Sequence, residues 1–167
     1  GGNLGRLSQK ASELTWFNNS TNYALTQNYA TGANQWEHTS PALNEWHNII
    51  VTLDSTLTTN DALAYVDGKS VTFTQTVATA VGSAVVNANP FLIGNAATDT
   101  RNWAGGLAEF AVWNRILTPG EAASIGKGFS PALFSNGLTS YVPLVRDIKD
   151  FKNNTALTIS GTVVATH

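Results

Sequence analysis

The sequence contains no cysteine and no methionine, and charged residues are scarce. The absence of cysteine excludes a disulfide framework, thiolate chemistry and cysteine metal sites. Charged residues make up 12% of the 167 residues, about half of the usual ~25%. The formal net charge of −2 provides no electrostatic footprint for nucleic acid, so we expect no nucleic-acid partner. No apolar run approaches the roughly 18 residues of a membrane span, so we expect no membrane insertion.

Length and composition together predict one domain that spans residues 1–167. A chain of 167 residues is long enough to build a two-layer hydrophobic core without covalent cross-links. Thr, Ser, Asn, Ala and Gly take the place of charged residues, a composition typical of extracellular β-proteins and virion proteins. We interpret the start at Gly-Gly-Asn as a processed product, an excised domain or the ordered part of something longer.

Short runs with alternating apolar side chains predict an all-β fold, an antiparallel sandwich with one brief helix. Loops are expected at 11–22, 54–61 and 96–102, and the Ala/Val/Ser-rich stretch 77–89 is ambiguous. The predicted strands cover residues 5–10, 23–27, 34–39, 46–53, 62–66, 69–76, 90–95, 138–144, 156–159 and 162–165.

The pair Asp67-Gly68 provides the best local signal for a hairpin. It lies between two alternating runs, and a two-residue type I′ turn needs positive φ at both central positions. We therefore predict that the strands on either side of Asp67-Gly68 pair with each other.

The stretch from Trp103 to Leu117 predicts a long central strand that leads directly into a short helix. Both of its faces are mostly apolar, which is typical of a strand covered on both sides. If Glu109 is buried there, it needs a partner, for which Arg115 or a backbone amide is available. Thr118, Pro119 and Glu121 then form a capping box with proline at the first helical position, so we predict a helix near 119–127.

Four motifs in fixed order carry a family resemblance: WHNIIVTLD at 46–54, YVDGK at 65–69, PFLIGN at 90–95 and GGLAEFAVWNRILT at 105–118. Together they resemble the laminin-G-like branch of the concanavalin A-like lectin/glucanase fold. The segments GFSPALF at 128–134 and YVPLV at 141–145 are similar to versions found in bacteriophage and prophage virion proteins.

The resemblance implies a jelly-roll sandwich of two antiparallel sheets. Relatives usually carry one or two strands before the GRLSQK stretch, whereas only residues 1–4 precede it here. Either the C-terminal strands fill these places, or a partner or another segment does. Because open strand edges are normally avoided, we expect other virion proteins or further copies of the chain to cover exposed edges.

The acidic residues do not predict an enzyme. Glycosidases need two carboxyl groups about 5 to 9 Å apart, and those on this fold carry them on alternate positions of one strand. Glu109 has Ala111 and Trp113 at those positions, and the other acidic residues are scattered. The histidines are not spaced as metal ligands, and we expect His47 to be structural.

The loop 95–103 is the candidate ligand site. Sugar binding requires an aromatic platform beside hydrogen-bonding side chains, and Trp103 lies next to Asp99, Arg101 and Asn102. Packing of Trp103 beneath the loop is the alternative. The resemblance also implies calcium as a possible cofactor, for which Asn95, Asp99 and Asn102 are the available oxygen ligands.

Two functions are consistent with these patterns. The first is a non-catalytic structural or interaction module of a virion, in a decoration, tail or fibre-associated protein. The alternative is a carbohydrate-binding adhesion domain for cell-surface or environmental glycans. Both predict a location on a virion surface or outside the cell, and the sequence alone does not separate them.

Overall fold

The computed structural model describes residues 5–19, 21–96, 101–144 and 148–158. About 43% of the described residues form strands and 8% are helical, which confirms the all-β prediction. The described strands are β1 (Arg6–Lys10), β2 (Leu14–Asn18), β3 (Asn22–Thr31), β4 (Ala33–Thr39), β5 (Ile49–Thr52), β6 (Leu63–Val66), β7 (Lys69–Val71), β8 (Thr74–Ala78), β9 (Val81–Ala84), β10 (Phe91–Ile93), β11 (Phe110–Trp113), β12 (Leu138–Val142), β13 (Lys149–Asp150) and β14 (Thr155–Ala156).

One layer is a seven-stranded antiparallel sheet. Its strands follow the order β10-β1-β2-β3-β4-β8, and β9 pairs with the end of β3. Leu25 of β3 is aligned with Trp16 of β2 and Trp36 of β4, so their three apolar side chains share one face. Because apolar surface is stabilised when it is removed from water, this face requires a second layer to cover it.

The second layer consists of the three-stranded sheet β5-β6-β7 and the pair β11-β12. Leu25 and Trp36 pack against Ala62, and Val51 and Leu53 join the same cluster from the second layer. Phe110 of β11 meets a phenylalanine of β10, with ring centroids 5.5 Å apart. Because apolar side chains of both layers meet in one core, the fold is the predicted sandwich.

The helix α1 (Pro119–Gly126) begins with the predicted capping box. The Thr118 hydroxyl accepts a hydrogen bond from the Glu121 amide (3.2 Å), and the Glu121 carboxylate accepts one from the Thr118 amide (2.8 Å). The helix ends with Lys127 as its C-cap, and a 3-10 turn follows at Pro131–Leu133. Within the described residues, neither helical segment is long and apolar enough to span a membrane.

The helix packs against the three-stranded sheet. Ile125 and Ala122 of α1 form a buried cluster with Ile50 of β5 and Tyr65 of β6. The side chains of β5 therefore serve two clusters, because Ile50 faces the helix while Val51 packs toward the seven-stranded sheet.

Two glycines allow this close packing. Asp67 and Gly68 have φ angles of +50° and +74°, which confirms the predicted turn with positive φ at both positions. A Cβ atom added to Gly126 would overlap the Gly68 amide nitrogen, and one added to Gly68 would lie 2.9 Å from Ala123. The turn between β6 and β7 thus touches the helix backbone directly.

The hairpin of β3 and β4 has a covered tip. Gly32 forms the turn with φ +71°, and the chain between β8 and β9 crosses over it. A Cβ atom on Gly32 would overlap the carbonyl oxygen of Thr79. The Thr79 amide and hydroxyl both donate hydrogen bonds to the Ala33 carbonyl, at 3.1 and 3.0 Å, which fastens the crossing segment to the hairpin.

The prediction of a long central strand from 103 to 117 is wrong. The observed strand β11 covers only Phe110–Trp113, and among the described residues it pairs with β12 alone. Glu109 has φ +55°, which interrupts the extended backbone immediately before β11. Glu109 is exposed, and its carboxylate accepts a hydrogen bond from the Tyr141 hydroxyl (2.6 Å) instead of pairing with Arg115.

Other corrections concern element boundaries. The predicted loop 11–22 contains β2, because a tight turn with Ser12 at φ +63° reverses the chain after β1. The predicted strand 46–53 begins only at Ile49. The predicted strand 69–76 divides into β7 and β8, which belong to different sheets. The predicted strand 162–165 lies outside the described residues.

Candidate ligand-binding rim

The residues of the predicted ligand site in the loop 95–103 make different contacts in the structure. Asp99 lies outside the described residues. Asn95 is half-buried, and its side-chain oxygen accepts a hydrogen bond from the Ala96 amide (2.7 Å). The carbonyl of Arg101 accepts a hydrogen bond from the Arg6 amide (3.0 Å), whereas Asn102 is exposed.

Arg101 also affects its neighbour electrostatically. Burial lowers the pKa of the Arg6 guanidinium, and the positive charge of Arg101 lowers it further. The Arg6 guanidinium lies 4.7 Å from the ring centroid of Phe17, a cation–π arrangement. Arg101 therefore adds positive charge beside Arg6 at this end of β1.

Trp103 is held by packing in the described structure. Its ring stacks on Tyr23 with centroids 6.2 Å apart and an angle of 27° between the planes. Its backbone amide donates to the Gly94 carbonyl (2.8 Å), and its indole nitrogen donates to the Gly106 carbonyl (3.4 Å). Trp103 is therefore half-buried and supports the Gly106 segment through these contacts. Binding of a sugar by Trp103 stays a prediction.

Trp46 is the aromatic residue that the sequence analysis missed as a site residue. It lies in the loop before β5, with 72% of its surface exposed. A Cβ atom on Gly106 would lie 2.7 Å from the Trp46 ring, so the missing side chain leaves room for the indole. Trp46 and Trp103 therefore contact the same Gly105-Gly106 segment. We call Trp46, Trp103, Gly105 and Gly106 the tryptophan rim.

The loop that carries Trp46 is anchored by the next residue. His47 Nδ1 hydrogen-bonds to Asp67 Oδ2 (2.9 Å), and the Asn48 amide donates to Asp67 Oδ1 (2.9 Å). Glu45 lies farther away, with its carboxylate 3.9 Å from His47 Nε2. Asp67 thus links the exposed Trp46 loop to the β6-β7 turn, which in turn rests on the helix.

The same contacts shift two pKa values. The hydrogen bond to Asp67 raises the pKa of His47, although burial acts in the opposite direction and Asp67's charge adds to the rise. Burial alone would raise the pKa of Asp67, but hydrogen bonds from His47 and the Asn48 amide outweigh it, so that the pKa is lowered. The anchor therefore favours a charged histidine beside a charged aspartate.

The described part of the loop 95–102 does not form a calcium site by itself. It provides the amide oxygens of Asn95 and Asn102 and no carboxylate, and calcium takes 6 to 8 oxygen ligands in general. The calcium expectation for this loop depends on Asp99 and stays a prediction. Nowhere among the residues that the structure describes do three or more His, Cys, Asp or Glu side chains form a metal-binding group.

The comparisons with known proteins support the fold. The family model described as concanavalin A-like lectin/glucanases superfamily, of the laminin-G type, matches residues 4–123. No curated protein and no solved structure matches the chain. Domains of this superfamily are often carbohydrate-binding, and the laminin-G-like fold is generally non-catalytic. Since the match covers most of the chain and the sandwich agrees with it, the chain belongs to the concanavalin A-like lectin/glucanase superfamily.

Proposed function

We propose that the chain is a non-catalytic carbohydrate-binding module and that the tryptophan rim is its binding platform. The observation that carries this proposal is the exposed indole of Trp46. An aromatic residue of this size is normally buried, and 72% exposure leaves a broad apolar surface open. Leu43, three residues earlier in the same loop, is also exposed, at 83%.

The platform lies on loops that contacts on each side of Trp46 fasten to neighbouring segments. Trp46 rests on Gly106, whose carbonyl is bonded by the Trp103 indole. On the other side of Trp46 in sequence, His47 is fixed to Asp67. A loop fixed by such contacts loses less conformational entropy when a sugar stacks on Trp46, so less of the contact energy is lost.

Polar side chains next to the two tryptophans in sequence are candidates to bind sugar hydroxyls. Glu45 precedes Trp46 and is exposed, and Asn102 precedes Trp103 and is exposed. A carboxylate and an amide together accept and donate hydrogen bonds, which a polyhydroxylated ligand requires. Arg101 and Asp99 stay predicted contributors on the same loop.

A single shallow platform predicts weak binding. A dissociation constant on the order of millimolar corresponds to about −4 kcal/mol. Multivalent display raises such an affinity without new contacts, so the test should present many copies of the module.

A glycan array with multivalent display tests the proposal, by comparing the native protein with Trp46→Ala. The variant should bind at least tenfold less, because the stacking surface is gone. Phe129→Ala removes another exposed aromatic side chain outside the rim and should bind like the native protein. No binding by the native protein, or equal loss in both variants, contradicts the proposal.

Trp103→Phe tests whether Trp103 positions Gly106 or contacts the sugar itself. Phenylalanine can still stack on Tyr23 but cannot donate to Gly106, so we expect partial loss of glycan binding in a folded protein. Complete retention of binding would show that the indole of Trp103 neither contacts the sugar nor sets the position of Gly106.

The second candidate is a structural contact module of a virion, at a virion surface or outside the cell. A specific observation favours it as an assembly module: between Lys69 and Asp99 the sequence has no charged residue. This stretch includes β8, in which every residue is exposed to some extent and Val77 is 36% exposed, and also Val81 and Val86, which are 63% and 83% exposed. Natural edge strands usually carry charges against pairing.

The virion setting itself rests on the resemblance of residues 128–134 and 141–145, which lie outside the family match. Light scattering tests the assembly part. Self-association that rises with concentration and is lost in Val86→Lys supports contact with further copies, whereas a monomer at high concentration contradicts it. Association with other virion proteins stays a prediction.

A further inference from the structure

The loop 40–48, the Trp46 loop, has a histidine where it meets the turn between β6 and β7. His47 Nδ1 hydrogen-bonds to Asp67 Oδ2 at 2.9 Å. On the other side of the ring, His47 Nε2 lies 3.9 Å from Glu45 Oε2. The imidazole of His47 therefore lies between two carboxylates, one on its own loop and one on the turn.

Both ring nitrogens of His47 are in surroundings that favour a proton. Nδ1 must carry a hydrogen to donate to Asp67, because an ionised carboxylate only accepts. Nε2 is buried and has no hydrogen-bond partner among the described residues. In a neutral ring that donates through Nδ1, the lone pair of Nε2 meets neither a donor nor water. The imidazolium instead directs an N–H toward each carboxylate, so the geometry favours the charged ring.

The charges near His47 act in the same direction. The hydrogen bond to Asp67 is the largest cause of its raised pKa, and it outweighs burial, which alone would lower the pKa. The charge of Asp67, the backbone of Ala42 and the charge of Glu45 add smaller contributions that raise the pKa. His47 therefore keeps its proton to a higher pH than an ordinary histidine does.

The turn on the other side of the contact keeps its negative charge. Burial alone would raise the pKa of Asp67, but hydrogen bonds from His47 and the Asn48 amide outweigh it. The charge of Lys69, at the start of β7, also lowers the pKa of Asp67. Where the helix touches this turn, backbone atoms of Ala123 lie nearest to Gly68. Asp67 thus stays ionised while His47 titrates.

Loss of the His47 proton weakens the attachment of the loop. The charged ring attracts both carboxylates, whereas a neutral ring leaves the negative charges of Glu45 and Asp67 uncompensated on its two sides. A charge-assisted hydrogen bond is also about twice as strong as a neutral one. The hydrogen bond from the Asn48 amide to Asp67 remains, so the start of β5 keeps its place while the preceding residues are released.

We propose that the proton on His47 holds the Trp46 loop in its sugar-binding position, so that glycan binding at the tryptophan rim weakens as the pH rises. Trp46 lies between Glu45 and His47, so release of the loop takes its indole away from Gly106. His47 is a positioning residue, because it acts through Trp46. This regulation rests on the proposed carbohydrate function, since the glycan is the ligand that the loop presents.

The direction of the pH effect follows from the raised pKa of His47. The stabilisation of the docked loop is fully present below the unfolded value of about 6.5. It is lost as the pH rises through the pKa of the folded protein, which lies above that value.

NMR spectroscopy tests the control of the loop without any glycan. The ring signals of His47 and the indole N–H signal of Trp46 should titrate with one shared midpoint above about pH 6.5. The indole of Trp113 donates to the Phe134 carbonyl (2.8 Å), outside the rim, and should not follow this titration. A Trp46 signal that does not follow His47 overturns the proposal.

Asp67→Asn sharpens the NMR test. Asparagine keeps the size of the side chain and tolerates the positive φ of this position, but it removes the negative charge beside the ring. The shared midpoint of His47 and Trp46 should therefore fall to a lower pH. An unchanged midpoint in this variant would show that Asp67 does not hold the proton on His47, contrary to the proposal.

A glycan array between about pH 5.5 and about pH 9 tests the effect on binding. Binding by the native protein should fall about fivefold as the charge-assisted bond becomes a neutral one. His47→Gln removes the titrating ring and should bind weakly at every pH. His38→Gln removes a histidine that contacts the Thr72 carbonyl (3.0 Å) on the seven-stranded sheet, and it should keep the native profile.

The two experiments separate the pH control from the carbohydrate function. Glycan binding by the native protein that does not change with pH, or an equal pH profile in His47→Gln, overturns the pH control and leaves the carbohydrate function in place. Absence of glycan binding at every pH, while the Trp46 signal follows His47, contradicts the carbohydrate function and supports the control of the loop by His47.

Discussion

Two neighbouring segments, 103–117 and 118–126, show opposite relations between sequence and structure. In the second, Thr118, Pro119 and Glu121 take the positions that the capping-box spacing predicts. In the first, the sequence predicts a continuous strand, but Glu109 with positive φ interrupts it. The residues before Glu109 form a loop in which the Trp103 indole hydrogen-bonds to the Gly106 carbonyl, within the tryptophan rim. The difference lies in where the deciding contacts come from.

The helix start is decided by contacts within four residues, so its pattern is complete in the local sequence. The conformation of 103–110 is decided by partners far along the chain, including Tyr23, Trp46 and the Pro143 carbonyl, which accepts from the Glu109 amide at 2.8 Å. Local periodicity carries no information on such partners. Substitutions in both regions can sharpen this comparison.

Gly126→Ala should have the largest effect on stability. The new methyl group would overlap the Gly68 amide, so the helix must move away from the β6-β7 turn at a cost of about 3 kcal/mol. Gly120→Ala in the same helix meets no atom within 4 Å and should stabilise by up to about 1 kcal/mol. Urea unfolding measures both, and equal effects would contradict the close contact.

Thr118→Ala should have an intermediate effect. It removes the N-cap hydroxyl that accepts from the Glu121 amide, which costs about 1 kcal/mol of unfolding free energy. Thr118→Ser keeps the hydroxyl and serves as the control in the same urea titration. If both variants unfold like the native protein, the capping box does not stabilise the helix.

Glu121→Gln should have a smaller, pH-dependent effect. Hydrogen bonds from Arg115 and from the Thr118 amide lower the pKa of Glu121 from 4.5 to about 2. Stability from the ionised form is thus present above pH 4.5 and is lost as the pH falls through 2.

Glutamine keeps an oxygen for the cap but loses the charge that faces Arg115. The native protein should exceed Glu121→Gln by less than about 1 kcal/mol at neutral pH. Unfolding measured between pH 6 and pH 2 should show this difference shrinking toward the acid end, and a constant difference would be contrary to the expectation.

Trp46→Ala should have the smallest effect on stability, within about 0.5 kcal/mol, because most of the side chain is already in water. In the rim, unlike in the helix, the largest functional loss should therefore accompany the smallest loss of stability. A thermal melt of the glycan-array sample measures this, and a fall of several kcal/mol would assign Trp46 to the core.

The sequence predicts the sandwich, the Asp67-Gly68 turn and the helix start, because each depends on alternation or on side chains a few residues apart. It misses β2, because the turn before it places Ser12 at positive φ, a conformation that glycine or asparagine normally signals and serine does not. It places Trp46 in a strand because WHNIIVTL alternates, although pairing with β6 starts only at Ile49. The turn-forming residues Pro41 and Asn44 were the available signal for a loop at Trp46.

The covered tip of the β3-β4 hairpin has a consequence for the order of folding events. The hairpin joins residues close in sequence and can close within microseconds, whereas Thr79 must return across a long stretch of chain to reach Gly32. The crossing segment can therefore dock only on a hairpin that has already formed. After this segment has docked, the hairpin tip no longer frays on its own, because its two strands cannot separate until the contacts of Thr79 are broken.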